Sequence, residues 1–270
     1  MSTPHRSPST RSTRRGMRVI ATLVVAAGLT AGLVTAGPAQ AAEPTNPYHP
    51  FPTAEAFVNQ TYKDFFRREP TARERLNAID RLEDGETMAE YVVWLSETPE
   101  SNADIRSVIR LYRTYYLRNP DFRGYYYWLE QRQKGMALQD ISTQFSIAGE
   151  FAIRYGVLTD EKFIDLVYQN VLDRLPDGKG RAYWLTMLKG GLYRGTLMTL
   201  FSETPEYVNK SFGVVTTAQL YTSLLQRSIN TGLSDTYGPR VQSGKMTPVE
   251  LAGRFMKDDK YLRRFKNLAG

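Results

Sequence analysis

Residues 163–207 decide the fold of this chain, and they read FIDLVYQNVLDRLPDGKGRAYWLTMLKGGLYRGTLMTLFSETPEY. If Tyr168 is the reference position, an arginine follows six residues later, a proline eight, a tryptophan 16 and a glycine 23 residues later. The stretch closes on Ser-Glu-Thr-Pro-Glu at 202–206. Self-similarity at a period of about 20–50 residues is typical of repeat proteins, so the same offsets are informative elsewhere in the chain.

These offsets recur four times. The reference aromatic is Tyr62, Tyr112, Tyr168 and Tyr221, with separations of 50, 56 and 53 residues. The residue at offset six is Arg68, Arg118, Arg174 and Arg227, and the residue at offset 23 is Gly85, Gly135, Gly191 and Gly244. Ser-Glu-Thr-Pro-Glu at 96–100 repeats the letters of 202–206. The sequence therefore predicts four tandem repeats, at 54–103, 104–157, 158–214 and 215–270 (the last degenerate).

Each repeat is predicted to form about three short helices. The first carries apolar residues at a helical spacing and stops at the Arg-x-Pro, where proline cannot continue the ladder. The second begins at an N-cap, and Thr71-x-x-Glu74 is a complete capping box. Two further boxes, Thr87-x-x-Glu90 and Thr247-x-x-Glu250, open third helices. We expect an all-α protein whose repeats pack as a helical array or a compact bundle.

The first 41 residues are predicted to be a signal peptide. Five arginines and no acidic residue precede an apolar run and the small-x-small pattern Ala39-Gln40-Ala41. Cleavage between Ala41 and Ala42 would leave a proline-rich linker at 42–53 and a protein secreted or held at the cell surface. Both the general secretory and the twin-arginine routes stay open, as does an uncleaved N-terminal anchor. We expect membrane contact only through this segment before cleavage.

Composition excludes several function classes. Of the net charge of +7, the segment after residue 41 contributes only +2. This segment therefore lacks the excess of basic residues that binding a phosphate backbone requires. The chain has no cysteine, and its two histidines are His5 and His49. A thiolate or histidine metal site and a serine–histidine nucleophile are therefore improbable chemistry here. The sequence predicts no catalytic residue, no metal site and no cofactor.

The repeat pattern resembles a known family. Tyr168-x5-Arg174-x-Pro176-Asp177-x2-Gly180-x2-Tyr183-Trp184-x6-Gly191 is similar to the bacterial domain of unknown function numbered four-two-one-four. The resemblance covers about residues 105–210, because repeat two carries nearly the same letters. It implies a helical module of exported or cell-surface proteins, often present in several copies and distantly similar to phycobilisome linker domains. It implies interaction and not catalysis, and it transfers no catalytic residue.

The tyrosines of repeat two are the first candidates for binding a partner. Aromatic residues at equal offsets are mostly expected in the core. The run Tyr125-Tyr126-Tyr127-Trp128, however, occupies four successive helical positions about 100° apart, and these cannot all face one core. We therefore expect Tyr125 or Tyr126 at the surface or in an interface, and Tyr115 is a further candidate. Exposed tyrosines suit sugar stacking or a protein partner.

Arg118, Arg174 and Asp177 are the polar candidates, and they have two interpretations. In one, the aspartate caps a helix while the arginine closes the turn or pairs with a carboxylate. In the other, they form a polar pocket for a glycan or an anion.

Three functions agree with these features. The leading hypothesis is an exported, non-catalytic helical repeat protein that binds a protein or polysaccharide at the cell envelope or outside the cell. One alternative is a hydrolase that cleaves glycan with two carboxylates, which would have to lie roughly 5–10 Å apart in a cleft. The other is a structural envelope protein that self-assembles as a homo-oligomer.

Overall fold

The computed structural model describes residues 46–267, and every regular element within that range is helical. The predicted all-α class is confirmed. The predicted signal peptide, with its cleavage between Ala41 and Ala42, lies outside the described residues.

The helices are α1 (Ala54–Phe66), α2 (Ala72–Glu83), α3 (Met88–Ser96), α4 (Pro99–Ser101), α5 (Ser107–Tyr116), α6 (Phe122–Gln133), α7 (Leu138–Ile147), α8 (Gly149–Tyr155), α9 (Asp160–Leu172), α10 (Gly178–Lys189), α11 (Arg194–Ser202), α12 (Pro205–Leu225), α13 (Thr231–Gln242), α14 (Pro248–Met256) and α15 (Asp259–Arg264).

One backbone geometry recurs at the end of α1, α5, α9 and α12. Each of these helices ends on a left-handed residue five positions after its reference tyrosine, at Arg67, Leu117, Asp173 and Gln226. The last helical residue therefore lies two positions before the arginine, earlier than the Arg-x-Pro rule predicts. Positive φ is costly for a side chain with a Cβ, so its return at four equivalent positions reflects one shared packing requirement.

The predicted helix starts are confirmed. The Thr71, Thr87 and Thr247 side chains each accept a bond from the N3 backbone, and the N3 glutamate returns a bond to each cap. The Asp121, Asp177 and Asn230 side chains also accept a bond from the N3 backbone, at the starts of α6, α10 and α13, without the returning glutamate. Local sequence thus determines where each of these helices begins.

Two hydrophobic cores organise the described chain. The first combines α1–α3 with α12–α15, so the first and last helices of residues 46–267 share one core. The second combines α5 and α7 with α9–α11. α3 packs on α14, while α7 packs on α11. A linear array would bring only successive repeats together, so the chain closes into a bundle.

Two long helices run from one core to the other. The N-terminal part of α12 gives Tyr207 to the second core, and its C-terminal part gives Leu220 and Leu224 to the first. A π-helical turn at Asn102–Arg106 joins α4 to α5 in a continuous helix of the same kind. The predicted repeat boundaries at 103/104 and 214/215 both fall inside these helices.

A buried polar contact joins the two long helices. The Arg106 guanidinium, only 4% exposed, donates to Gln219 Oε1 at 3.1 Å and to Thr216 Oγ1 at 3.0 Å. Burial lowers the pKa of Arg106 to about 10. Because these two bonds reach residues one helical turn apart on α12, they fix the register of the two helices relative to each other.

The segment predicted as a linker is partly packed on the bundle. Phe51 is buried, and its ring lies 5.5 Å from that of Phe57 and 4.6 Å from that of Phe265. Residues 46–53 therefore cover the first core where α1 and α15 meet.

Candidate partner-binding site

The predicted exposure of Tyr125 and Tyr126 is wrong. Tyr125 is buried and its hydroxyl lies 3.0 Å from Ser223 Oγ on α12. Tyr126 is half-buried, donates to the Asp64 carbonyl at 2.5 Å and lies under the Arg67 guanidinium at 3.6 Å. Burial raises the pKa of both phenols. Both rings find protein contacts because α12 and the end of α1 lie on two sides of α6, so the interface that they fill is intramolecular.

Tyr115 is also a core residue. It is fully buried in the second core, where its hydroxyl lies 2.8 Å from Ser142 Oγ of α7. Burial raises the pKa of its phenol well above the ordinary value. None of the three named tyrosines is therefore open to an external partner in this fold.

Arg118 and Asp177 make the contacts of the first interpretation, and Arg174 does not. Arg118 forms two bonds of 2.7 Å with the Glu150 carboxylate, and Arg68 binds Glu100 in the equivalent arrangement. These bidentate pairs join the turn after the first helix of a repeat to the end of that repeat.

In the third repeat the described residues contain no arginine–glutamate pair equivalent to Arg118–Glu150. Asp177 accepts a bond of 2.6 Å from the Gly180 backbone and caps α10. Arg174 is exposed and lies 5.5 Å from the centre of the Tyr168 ring. The Arg118 side chain is also 40% exposed, so the difference is that Arg174 has no carboxylate partner within residues 46–267.

Two exposed tyrosines occupy equivalent positions in repeats two and three. Tyr127 on α6 and Tyr183 on α10 both lie 15 residues after their reference tyrosines, and they are 52% and 56% exposed. Each ring packs edge-to-face on the next residue, Trp128 or Trp184, with centroids 4.8 and 4.9 Å apart and planes at 77° in both. We name these two pairs the tyrosine platforms.

The tryptophan of each platform packs against the second core. Trp128 lies 5.3 Å from Phe145, and Trp184 lies 5.3 Å from Phe201. The Trp184 indole donates to the Tyr168 hydroxyl at 3.2 Å. An exposed ring that rests on a fixed indole loses little conformational freedom on binding, which favours its use as an anchor.

The platform of the third repeat is the more apolar. Met187, one helical turn beyond Tyr183, is 39% exposed, and Leu175 is also exposed. The corresponding positions in repeat two are Gln131 and Asn119. The two platforms therefore share geometry and differ in their surroundings.

Sequence reasoning missed the platforms for an identifiable reason. Tyr127 stood in the four-residue aromatic run, and Tyr183 stood beside a tryptophan assigned to the core. The signal was that both tyrosines precede a tryptophan at the same offset. Successive helical residues point about 100° apart, so a tyrosine that precedes a core-facing tryptophan lies on a different part of the helix surface and is a candidate for exposure.

The described part of the chain contributes neither a metal centre nor a membrane span. Within residues 46–267, no group of three or more acidic or histidine side chains is placed to hold a metal ion. No helix in the same range combines the length and the apolar character that crossing a bilayer requires.

Comparisons with known proteins place one segment in a family. Comparisons with curated proteins and with solved structures gave no match. The sequence model of the family described as domain of unknown function (DUF4214) matches residues 142–211. This segment runs from α7 into α12 and contains the platform of Tyr183 and Trp184. Residues 142–211 therefore match the family of the domain of unknown function (DUF4214), which confirms the resemblance predicted from the sequence.

Proposed function

We propose that this protein is an exported, non-catalytic helical module that binds a protein or polysaccharide partner at the cell envelope or outside the cell. The observation that carries the proposal is the pair of tyrosine platforms, in which Tyr127 and Tyr183 are presented with one geometry. Aromatic side chains of this kind are enriched among the residues that dominate binding energy. Export is supported by the basic start, apolar run and Ala39-Gln40-Ala41 site of the sequence.

The test removes the two exposed rings. In the double variant Tyr127→Ala/Tyr183→Ala we expect retention on purified cell-wall material, or capture of an envelope protein, to fall by about tenfold per ring, since an aromatic contact contributes roughly 0.5–1.5 kcal/mol beyond its area. Cell-wall material treated with protease and material treated with glycosidase distinguish the two partner classes. Tyr193→Ala is the matched control, because Tyr193 is 73% exposed and lies outside both platforms. Equal retention of the double variant and the wild type, with an unchanged circular dichroism spectrum, contradicts the proposal.

Self-assembly is a second candidate, favoured by one observation. Ile147, Ile153 and Val157, in and around α8, are almost fully exposed. Three branched apolar side chains in one connecting segment are more typical of a contact surface than of a solvated one. Light scattering over a concentration series tests this candidate: a mass that rises with concentration and falls in Ile153→Ser supports it, and a constant monomer mass rejects it.

The glycan hydrolase stays a hypothesis. A cleft of about 520 Å³ between the turns after α5 and α12 contains two carboxylates, those of Asp121 and Asp235. Asp121 is engaged as the cap of α6 and accepts a bond from the Gly124 backbone at 2.9 Å. Release of reducing sugar from cell-wall glycan, abolished in Asp235→Asn, would establish the hydrolase in place of the binding module.

A further inference from the structure

A cleft of about 520 Å³ lies between the turn after α5 and the turn after α12. These are equivalent turns of repeats two and four, brought together because the chain closes on itself. A second cavity of about 270 Å³ adjoins the first and shares Arg113, Ser234 and Asp235 with it. The main cleft has a volume that is ordinary for a small-molecule site.

The walls of the cleft are fixed by hydrogen bonds between the two turns. Asn119 Nδ2 donates to Ser234 Oγ at 2.9 Å, and the Phe122 backbone donates to Ser228 Oγ at 2.8 Å. Ser234 is itself 2% exposed. The cleft is therefore preformed, and a ligand would not have to order its walls.

Two polar groups of the cleft lack a partner within residues 46–267. The half-buried Arg113 guanidinium forms no ion pair or hydrogen bond there, although the neighbouring Arg110 and Arg118 are both paired with glutamates. The exposed Asp235 carboxylate of the same cleft forms no ion pair or hydrogen bond there either. The Arg113 guanidinium favours an anion, and the Asp235 carboxylate favours a hydrogen-bond donor such as a hydroxyl group.

We propose that this cleft is a binding site for an acidic sugar, with the ligand carboxylate on Arg113 and a ligand hydroxyl donating to the Asp235 carboxylate. A planar guanidinium matches a carboxylate with two parallel bonds, which a compact ammonium would not. The site goes beyond the binding proposed above, since it uses neither tyrosine platform. The two proposals can therefore fail independently.

Calorimetric titration of the full-length protein with glucuronate, glucose and inorganic phosphate tests the proposal. We expect saturable binding of glucuronate and binding of glucose and phosphate that is roughly tenfold weaker or more, because each offers only part of the chemistry. Phosphate bound as tightly as glucuronate would reduce the site to a general anion site and overturn the sugar assignment. Absence of saturable glucuronate binding would overturn the site itself.

Variants of Arg113 give the decisive comparison. Arg113→Gln is expected to lower glucuronate affinity roughly 10- to 100-fold, and Arg113→Lys to restore only part of it. Arg113 forms no ion pair or hydrogen bond within residues 46–267 that the variant would lose, so Arg113→Gln should keep a thermal midpoint close to that of the wild type. Arg123→Gln, an exposed arginine on α6 outside the cleft, is the matched control. Glucuronate affinity that is equal in Arg113→Gln and Arg123→Gln would refute the role of Arg113.

Discussion

Asp64 is a buried carboxylate of α1, and its charge partner is Arg264 on α15. The Arg264 Nη2 donates to Asp64 Oδ1 at 2.5 Å, and Gln60 donates to the same oxygen at 2.9 Å. The Asp64 carbonyl accepts the bond from Tyr126. One residue therefore joins α1 to α6 and to the last helix of the described chain. Burial nevertheless raises the pKa of the Asp64 carboxyl, since desolvation outweighs the arginine.

Removal of Arg264 is expected to be costly. Arg264→Ala leaves a buried carboxylate without its counter-charge, so we expect a loss of about 3–5 kcal/mol in the free energy of unfolding at pH 7. Urea denaturation measures the change. Arg263→Ala is the neighbouring control, because the Arg263–Asp259 pair is about four-fifths exposed on each side and should contribute under about 0.5 kcal/mol. Similar losses in the two variants would contradict the importance of the buried pair.

The same variant should show a defined pH dependence. Without Arg264 the raised pKa of Asp64 should rise further, because the arginine bond and charge lower it. An acid whose pKa is higher in the folded state binds its proton more tightly there. The stability that the protonated Asp64 carboxyl contributes is therefore fully present below its pKa in the unfolded chain and is lost as the pH rises through its pKa in the folded chain. The deficit of Arg264→Ala relative to wild type should shrink between pH 7 and pH 4, and a constant deficit would exclude titration of Asp64 as its cause.

At the scale of elements, the crossing of α12 and α13 depends on Gly213 and on the side-chain amide of Gln242. A Cβ on Gly213 would overlap the Gly238 carbonyl oxygen and approach the Gln242 backbone nitrogen to 2.6 Å. The Gln242 side chain accepts from the Gly213 backbone at 2.8 Å and donates to the Asn209 carbonyl at 2.8 Å. These are the two groups that an undisturbed α-helix would join directly, so Gln242 replaces one bond of the α12 ladder.

A methyl group at this crossing should separate the helices. Gly213→Ala is expected to lower the free energy of unfolding by about 3 kcal/mol, because backbone atoms and not flexible side chains block the added Cβ. Gly149→Ala, in α8, is the control, since nothing lies within 4 Å of the added atom. It should be neutral or stabilising by up to about 1 kcal/mol. Thermal melts of both variants measure the difference, and an unchanged midpoint for Gly213→Ala would show that α13 can move away freely.

At the scale of the whole molecule, the two cores are mechanically connected. α12 and the continuous helix that ends in α5 both contribute to each core, and Arg106 joins them. Neither core can lose its helices without breaking the other. A bundle with such shared elements is expected to unfold in one step.

Single-tryptophan variants test this cooperativity. Trp94 reports on the first core through Tyr91, at 5.6 Å between centroids, and Trp184 reports on the second through Phe201. In each variant the other two tryptophans are replaced by phenylalanine. We expect the urea midpoint from tryptophan fluorescence to coincide with the midpoint from circular dichroism of the same variant. A tryptophan midpoint displaced from the circular dichroism midpoint of the same variant would indicate that the cores unfold separately.

Sequence by itself determined the local structure of this protein. The N-caps, the capping boxes and the all-α class follow from contacts between residues a few positions apart, and the spacing of apolar residues marks the buried faces. The segment that matches the family was recognisable from the same letters. The roles of two candidates also recur at equivalent positions: Arg118 pairs with Glu150 as Arg68 pairs with Glu100, and Asp177 caps its helix as Asp121 does.

Tertiary structure alone decided which surfaces those helices leave open. The association of α3 with α14, and of the turns around Asn119 and Ser228, joins residues more than 100 positions apart, and no local pattern encodes such pairing. For that reason Tyr125 and Tyr126 became internal and Tyr127 and Tyr183 stayed exposed. The helical period fixes the angle between neighbouring side chains, but only the neighbouring helices determine which of them meets water.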